Sequence, residues 1–157
     1  MAVTNVSHIA IAVRDMDRAL PFWTEVVGLH VSLDTIEEFT MSSGTVRRRA
    51  VYLRQQEGAN EPFLVLDQPC DGVATGEAKA MFDLGLHHVG FWVDDIDAIA
   101  ARAHVSAAPI IAGPVTTDSL RYGEAAGSQV RTLLMRDPDG NVIQFDQRQA
   151  GSASPTA

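Results

Sequence analysis

From position 6 to 13 the residues alternate. His8, Ala10 and Ala12 share one face, and Ile9, Ile11 and Val13 share the other. A period of two with Ile and Val on one side predicts a strand whose greasy face lies under a helix. Asp15 follows as the expected N-cap, with Asp17 in the first turn where the helix dipole favours negative charge. The helix is expected to run to about Val27 on an apolar stripe of Leu20, Trp23, Val26 and Val27. Pro21 in its second turn predicts a kink, and Gly28 the stop. Strands are then expected at 29–33, 46–54 and 62–68. A polar stretch with Glu37 and Glu38 separates the first two, and a turn-rich loop at 56–60 joins the last two as a hairpin.

The same order of elements comes round again. Residues 71–84 are Gly- and Ala-rich and read as a connection, with a short helix around 78–82. A strand is expected at 88–93, a cap at Asp95, a helix from 96 to about 104, and a short strand at 109–112. Residues 113–127 lack periodicity, contain Tyr122 and are expected to form a long loop of the kind that often serves as a lid. Strands at 130–135 and 141–147 flank the turn Asp137-Pro138-Asp139-Gly140, and the tail from 149 to 157 is expected to be disordered. The repeat is visible in the residues themselves. At an offset of 80, His8, Val13, Asp15 and Asp17 meet His88, Val93, Asp95 and Asp97, and Leu64-Val65-Leu66-Asp67-Gln68 meets Ile143-Gln144-Phe145-Asp146-Gln147 at an offset of 79. Each half is therefore β-α-β-β-β, one module at about 4–69 and the other at about 85–148, within a single domain of 1–148.

Composition narrows the class. A hydrophobic fraction of 46% supplies a core for 157 residues, and 20% charged residues fit a globular chain. A net charge of −8 argues against nucleic-acid or anionic-membrane partners, while leaving room for a small anionic ligand held by a local Arg. The single cysteine, Cys70, permits no intrachain disulfide. There is no signal-peptide layout and no apolar run of spanning length, so a cytoplasmic location is the expectation. No Gly-rich phosphate loop, CxxC, HExxH or GxSxG element is present.

His8-Ile9-Ala10-Ile11 with 15–23, Gly85-Leu86-His87-His88-Val89-Gly90-Phe91 with 94–97, and Arg136-Asp137-Pro138-Asp139-Gly140-Asn141 resemble the vicinal oxygen chelate superfamily over roughly residues 4–148. That superfamily includes glyoxalase I, methylmalonyl-CoA epimerase, extradiol dioxygenases and bleomycin resistance proteins. The resemblance implies an α+β fold of two βαβββ modules forming a curled mixed-sheet cup with helices outside. It implies a divalent metal at the cup's base, a small-molecule substrate or ligand, and a homodimer. The ligand positions it carries over are His8, Val65, His88 and Gln144. This chain keeps both histidines, has valine at the second position and replaces the final acid by Gln144.

The candidate metal ligands are therefore His8, His88 and Gln144; the ion, among Fe, Mn, Zn, Ni and Co, stays open. His87 lies on the opposite face, and His30 and His104 read as surface residues. Asp67 and Asp146 share faces with Val65 and Gln144 but lie two residues, about 6.6–6.8 Å, further along. They are candidates for acid, base or substrate anchor, the alternative being polar strand ends. Arg48 and Tyr52 fall on one face of their strand and can hold an anionic or phenolic substrate. Trp92 shares the face of His88 as an aromatic wall. Two functions follow: a metalloenzyme of the glyoxalase or dioxygenase type acting on vicinal oxygens, or a metal-free protein that sequesters its ligand.

Overall fold

In the computed structural model, which describes residues 2–42, 44–58 and 60–149, the chain divides into two units, 1–77 and 78–157. Unit 1 contains β1 (His8–Ala12), α1 (Met16–Pro21), a π-helical continuation (Phe22–Val27), β2 (His30–Met41), β3 (Gly44–Arg54) and β4 (Phe63–Pro69). Unit 2 contains β5 (Val89–Trp92), α2 (Ile96–Val105), β6 (Ile110–Asp118), a 3-10 turn (Ser119–Tyr122), β7 (Gln129–Arg136) and β8 (Val142–Arg148). Each unit folds as one four-stranded mixed sheet, ordered β1-β4-β3-β2 and β5-β8-β7-β6. The first and last strands of each unit pair in parallel, and the others pair antiparallel. This is the expected α+β class with two βαβββ modules.

The helix of each unit is built by a device that the repeat preserves. Asp15 caps α1, its Oδ1 accepting from the Asp17 and Arg18 amides at 3.0 and 3.2 Å. The Met16 amide donates to Gln68 Oε1 at 2.8 Å, so the first N–H groups of α1 all find acceptors. In unit 2, Asp95 Oδ1 accepts from the Ala98 amide at 3.0 Å, and Gln147 Oε1 from the Ile96 amide at 3.2 Å. An arginine on the third strand then reaches the first turn: Arg49 to Asp17 at 3.0 Å, Arg131 to Asp97 at 2.7 Å. Arg49 stands opposite Gln68, and Arg131 opposite Gln147, in the two sheet registers. The repeat thus extends from backbone to side-chain wiring.

Under each helix lies an apolar core. In unit 1 it includes Ile11, Val13, Met16, Trp23, Leu53 and Leu66, and in unit 2 Ile96, Ile99, Leu133, Met135, Ile143 and Phe145. Alternation then puts His8, Asp67 and Tyr52 on the opposite, helix-free face of the first sheet, and Gln144, Asp146 and Trp92 on that of the second.

Four expectations need correction. The helix after Asp15 is α-helical only to Pro21, then widens to a π-helix through Val27, because proline lacks the N–H that would bond back and crowds the preceding turn. Gly28 ends it with a φ of 92°, a left-handed conformation that suits glycine. β2 is twelve residues long and takes in the polar stretch, because Asp34, Glu37 and Glu38 pair across the strands with Arg49, Arg48 and Arg47. No helix forms around 78–82, where the backbone is irregular up to a turn at 81–82. Within 113–127 the chain is strand to Asp118 and a 3-10 turn to Tyr122, fixed by Asp118 accepting from the Leu120 and Gly127 amides. The expected disordered tail lies outside the described residues, apart from Gln149.

Candidate functional site

On the helix-free face of unit 1, four polar side chains from three strands form one network. Arg48 donates to Asp67 Oδ2 at 2.6 Å and to Glu37 Oε2 at 2.8 and 3.2 Å. Tyr52 donates its hydroxyl to Glu37 Oε1 at 2.6 Å. The network follows from register: Glu37 is the cross-strand partner of Arg48, and Asp67 lies on the next strand. Arg48 and Tyr52 therefore share one face and one partner, Glu37, and the guanidinium is already shared by two carboxylates. Glu37's carboxyl is held below its ordinary range by the Tyr52 hydroxyl first and Arg48 second. Asp67 is shifted the other way, because burial outweighs the attraction of Arg48. Its Oδ1 is buried and has no hydrogen-bond partner among the described residues. Aromatic rings line the rest of the face: His8 stacks on Phe63 at 5.0 Å, Tyr52 lies 5.7 Å from Phe63, and Arg48 stands over Phe39.

Unit 2 carries the equivalent acid in different company. Asp146 is buried and accepts from the Tyr122 hydroxyl at 2.7 Å, the Thr132 hydroxyl at 2.8 Å and the Gln144 amide nitrogen at 2.9 and 3.0 Å. Tyr122 also contacts Thr132 at 2.8 Å, and burial chiefly pushes its phenol up to about 12. Trp92, opposite Asp146 in the register and half exposed, lies 5.5 Å from the Tyr122 ring and is covered by the Arg148 guanidinium at 4.5 Å. Arg148 is in turn held by Glu124 at 2.5 and 2.9 Å.

The two repeat histidines are both exposed and each is engaged through Nδ1 by the residue before it. Ser7 Oγ lies 3.0 Å from His8 Nδ1, and His87 Nδ1 lies 2.6 Å from His88 Nδ1. That leaves Nε2 of each of these two rings as the nitrogen not engaged by the preceding residue. Burial first, and the neighbouring His87 second, hold His88 below its ordinary value, against a smaller opposing pull from Asp146. His88 itself precedes β5, which begins at Val89. His30 pairs with Glu57 at 2.8 Å and His104 is exposed.

A family model described as the Glyoxalase/Bleomycin resistance protein/Dioxygenase superfamily matches residues 5–145. The chain belongs to that superfamily. A probable lactoylglutathione lyase of Vibrio parahaemolyticus is 28% identical over 163 residues, covering 98% of this chain and 97% of that protein. An uncharacterised Bacillus subtilis protein is 27% identical over 144 residues, covering 92% and 98%. Among solved structures, a glyoxalase family protein from Bacillus cereus aligns with a TM-score of 0.75 at 18% identity, covering 96% and 97%. The antibiotic-binding protein TnmS3 from a Streptomyces species aligns with a TM-score of 0.59 at 24% identity, covering 95% and 99%. These two share the fold. A fold shared by a glyoxalase family protein and an antibiotic-binding protein leaves the question of chemistry to the side chains.

Of the donors that the resemblance names, His8 belongs to unit 1 and His88 and Gln144 belong to unit 2. Among the described residues no group of three His, Cys, Asp or Glu side chains is gathered as a ligand cage. The position of the second expected ligand is Val65, apolar and buried. Gln144 turns its nitrogen to Asp146, so its Oε1 is the atom left to coordinate. Imidazole nitrogen and amide oxygen are donor types that suit a borderline divalent ion.

Glu37, Tyr122, Thr132 and Arg148 were not foreseen as members of these networks. The sequence held a signal for Glu37, since three consecutive arginines face Asp34, Glu37 and Glu38 in complementary order. Tyr122 had none, because its position depends on the 3-10 turn within the aperiodic stretch.

Proposed function

We propose that this protein is a small-molecule metalloenzyme of the glyoxalase or dioxygenase type, with His8, His88 and Gln144 as donors to a divalent ion. The observation that supports this reading is which atoms remain available. Both repeat histidines are engaged at Nδ1 and keep Nε2, and Gln144 is engaged at nitrogen and keeps Oε1. Engagement of the far nitrogen is how metal-ligating histidines are ordinarily oriented. A divalent ion so held would act as a Lewis acid toward two neighbouring oxygens of the substrate.

The chain's own residues supply the rest. Asp67 is the candidate for proton exchange: its carboxyl is shifted upward, the direction that a proton-accepting group needs, and its Oδ1 is unpartnered. Arg48, fixed by Glu37, whose other oxygen Tyr52 holds, binds the other oxygen of Asp67 and orients the carboxyl. Trp92 offers a flat apolar surface for a substrate ring.

A second reading is favoured by a specific observation. Val65 cannot ligate, and both wall acids are engaged inside their own units, as suits a protein that holds a ligand without metal. Metal analysis after growth in metal-replete medium, with the variants His8→Ala and His88→Ala, separates the two. The metalloenzyme reading expects bound metal that both variants lose. Metal-free protein with ligand binding unchanged in both variants would overturn it.

A further inference from the structure

We infer that Asp146 is a positioning residue whose task is to fix which end of the Gln144 amide faces outward. The inference rests on the metal reading for its consequence, though not for its geometry. Gln144 and Asp146 lie two apart on β8 and share a face. Both carboxylate oxygens of Asp146 accept from the one nitrogen, Gln144 Nε2, at 3.0 and 2.9 Å. Both oxygens of the acid act as acceptors for the one amide nitrogen, and Oδ1 takes two hydroxyls as well, so Gln144 presents Nε2 to the acid and Oε1 is turned away from it. Asp146 is in turn held by the Tyr122 and Thr132 hydroxyls, both on Oδ1, and is almost wholly buried. Its carboxylate is thus spent on hydrogen bonds made inside the unit.

The equivalent acid in unit 1 has a different partner. Asp67 follows Val65, which has no amide to orient, and Asp67 is taken by Arg48 instead. The acid is common to both halves, and only the half with a glutamine two positions earlier uses it to aim a carbonyl. A neutral acceptor with a fixed direction replaces the acidic ligand that the resemblance leads one to expect. Charge then reaches the donor set indirectly, through a carboxylate that polarises the amide and makes Oε1 a better donor.

Two readouts test this. The first is the pair of Gln144 side-chain NH2 resonances in 1H–15N NMR of the metal-free protein. In the wild type they should be protected from exchange, and in Asp146→Asn they should lose that protection. The second is Co(II) affinity by calorimetry, expected to fall about tenfold or more in Asp146→Asn and to recover in Asp146→Glu. Gln147→Ala, which removes a helix-capping acceptor on the same strand, should lower stability and leave Co(II) affinity as it was. If Asp146→Asn does not fold, Tyr122→Phe, which removes one of the two hydroxyls holding the carboxylate, should shift the same resonances. Exchange of the Gln144 amide unaffected by these substitutions would overturn the inference, as would wild-type Co(II) affinity in Asp146→Asn. A wild-type protein that binds no Co(II) overturns the metal reading, and the NMR result alone then decides this one.

Discussion

Replacing Arg48 by Met keeps most of the side chain's apolar stem and removes the charge that Glu37 and Asp67 share. The guanidinium makes bonds of 2.6, 2.8 and 3.2 Å to these acids. The Arg48 side chain is 27% exposed, Glu37 28% and Asp67 17%. Breaking a fully buried ion pair costs about 3–5 kcal/mol. With roughly a quarter of each partner in water, about 2–3 kcal/mol is the expected loss at neutral pH. The loss should shrink on acidification. In the variant, Asp67 keeps the burial that raises its pKa and loses the attraction that opposed it. The folded state then binds a proton more tightly than the unfolded chain. Its destabilisation is therefore present above the raised folded value and is relieved as pH falls through it toward the ordinary 3.8. Glu37 acts in the same direction. The Tyr52 hydroxyl first and Arg48 second depress its pKa in the wild type, so the variant keeps the first contribution and no longer has the second to lose in acid. Urea denaturation near neutral pH and at about pH 4 measures both deficits. Equal deficits at the two pH values, or a neutral deficit below about 0.5 kcal/mol, would refute the claim that Arg48 holds two carboxylates.

Two further outcomes follow from the geometry. Gln68→Ala and Gln147→Ala each orphan the first amide of a helix and should each cost about 1 kcal/mol by chemical denaturation, with similar values if the duplicated wiring is equivalent. His88 in the metal-free protein should titrate below the ordinary 6.5 by NMR, and His87→Ala should move it upward. Because the folded value is depressed, protonation of His88 disfavours the fold, so its contribution to stability is complete above about 6.5 and is lost as pH falls toward the folded value.

The repeat made the fold legible. Once His8, Asp15, Asp17 and Asp67 had counterparts at 88, 95, 97 and 146, two βαβββ modules followed, and the capping aspartates behave as their positions predicted. The strand faces were also legible, since alternation alone placed Arg48 with Tyr52, and Gln144 with Asp146. What alternation does not carry is the choice of partner. Glu37 looked like part of a polar connector because cross-strand charge pairing, and not hydrophobic period, holds β2 together to Met41. The Asp146 network was hidden for a different reason. It depends on Tyr122, which a 3-10 turn ending in a left-handed Gly123 brings back against β7 and β8. The candidate ligands His8, His88 and Gln144 were named from the repeat and the resemblance. Which atom each leaves available depended on neighbours one or two residues away, Ser7, His87 and Asp146, and so on rotamers that sequence does not specify.

The most direct test of the central claim is calorimetric titration of metal-free protein with Co(II), in the wild type and in His8→Ala, His88→Ala and Gln144→Ala. The account predicts saturable binding in the wild type, loss of binding in either histidine variant, and weakened binding in the glutamine variant. Binding that survives removal of both histidines, or no binding in the wild type, would contradict it.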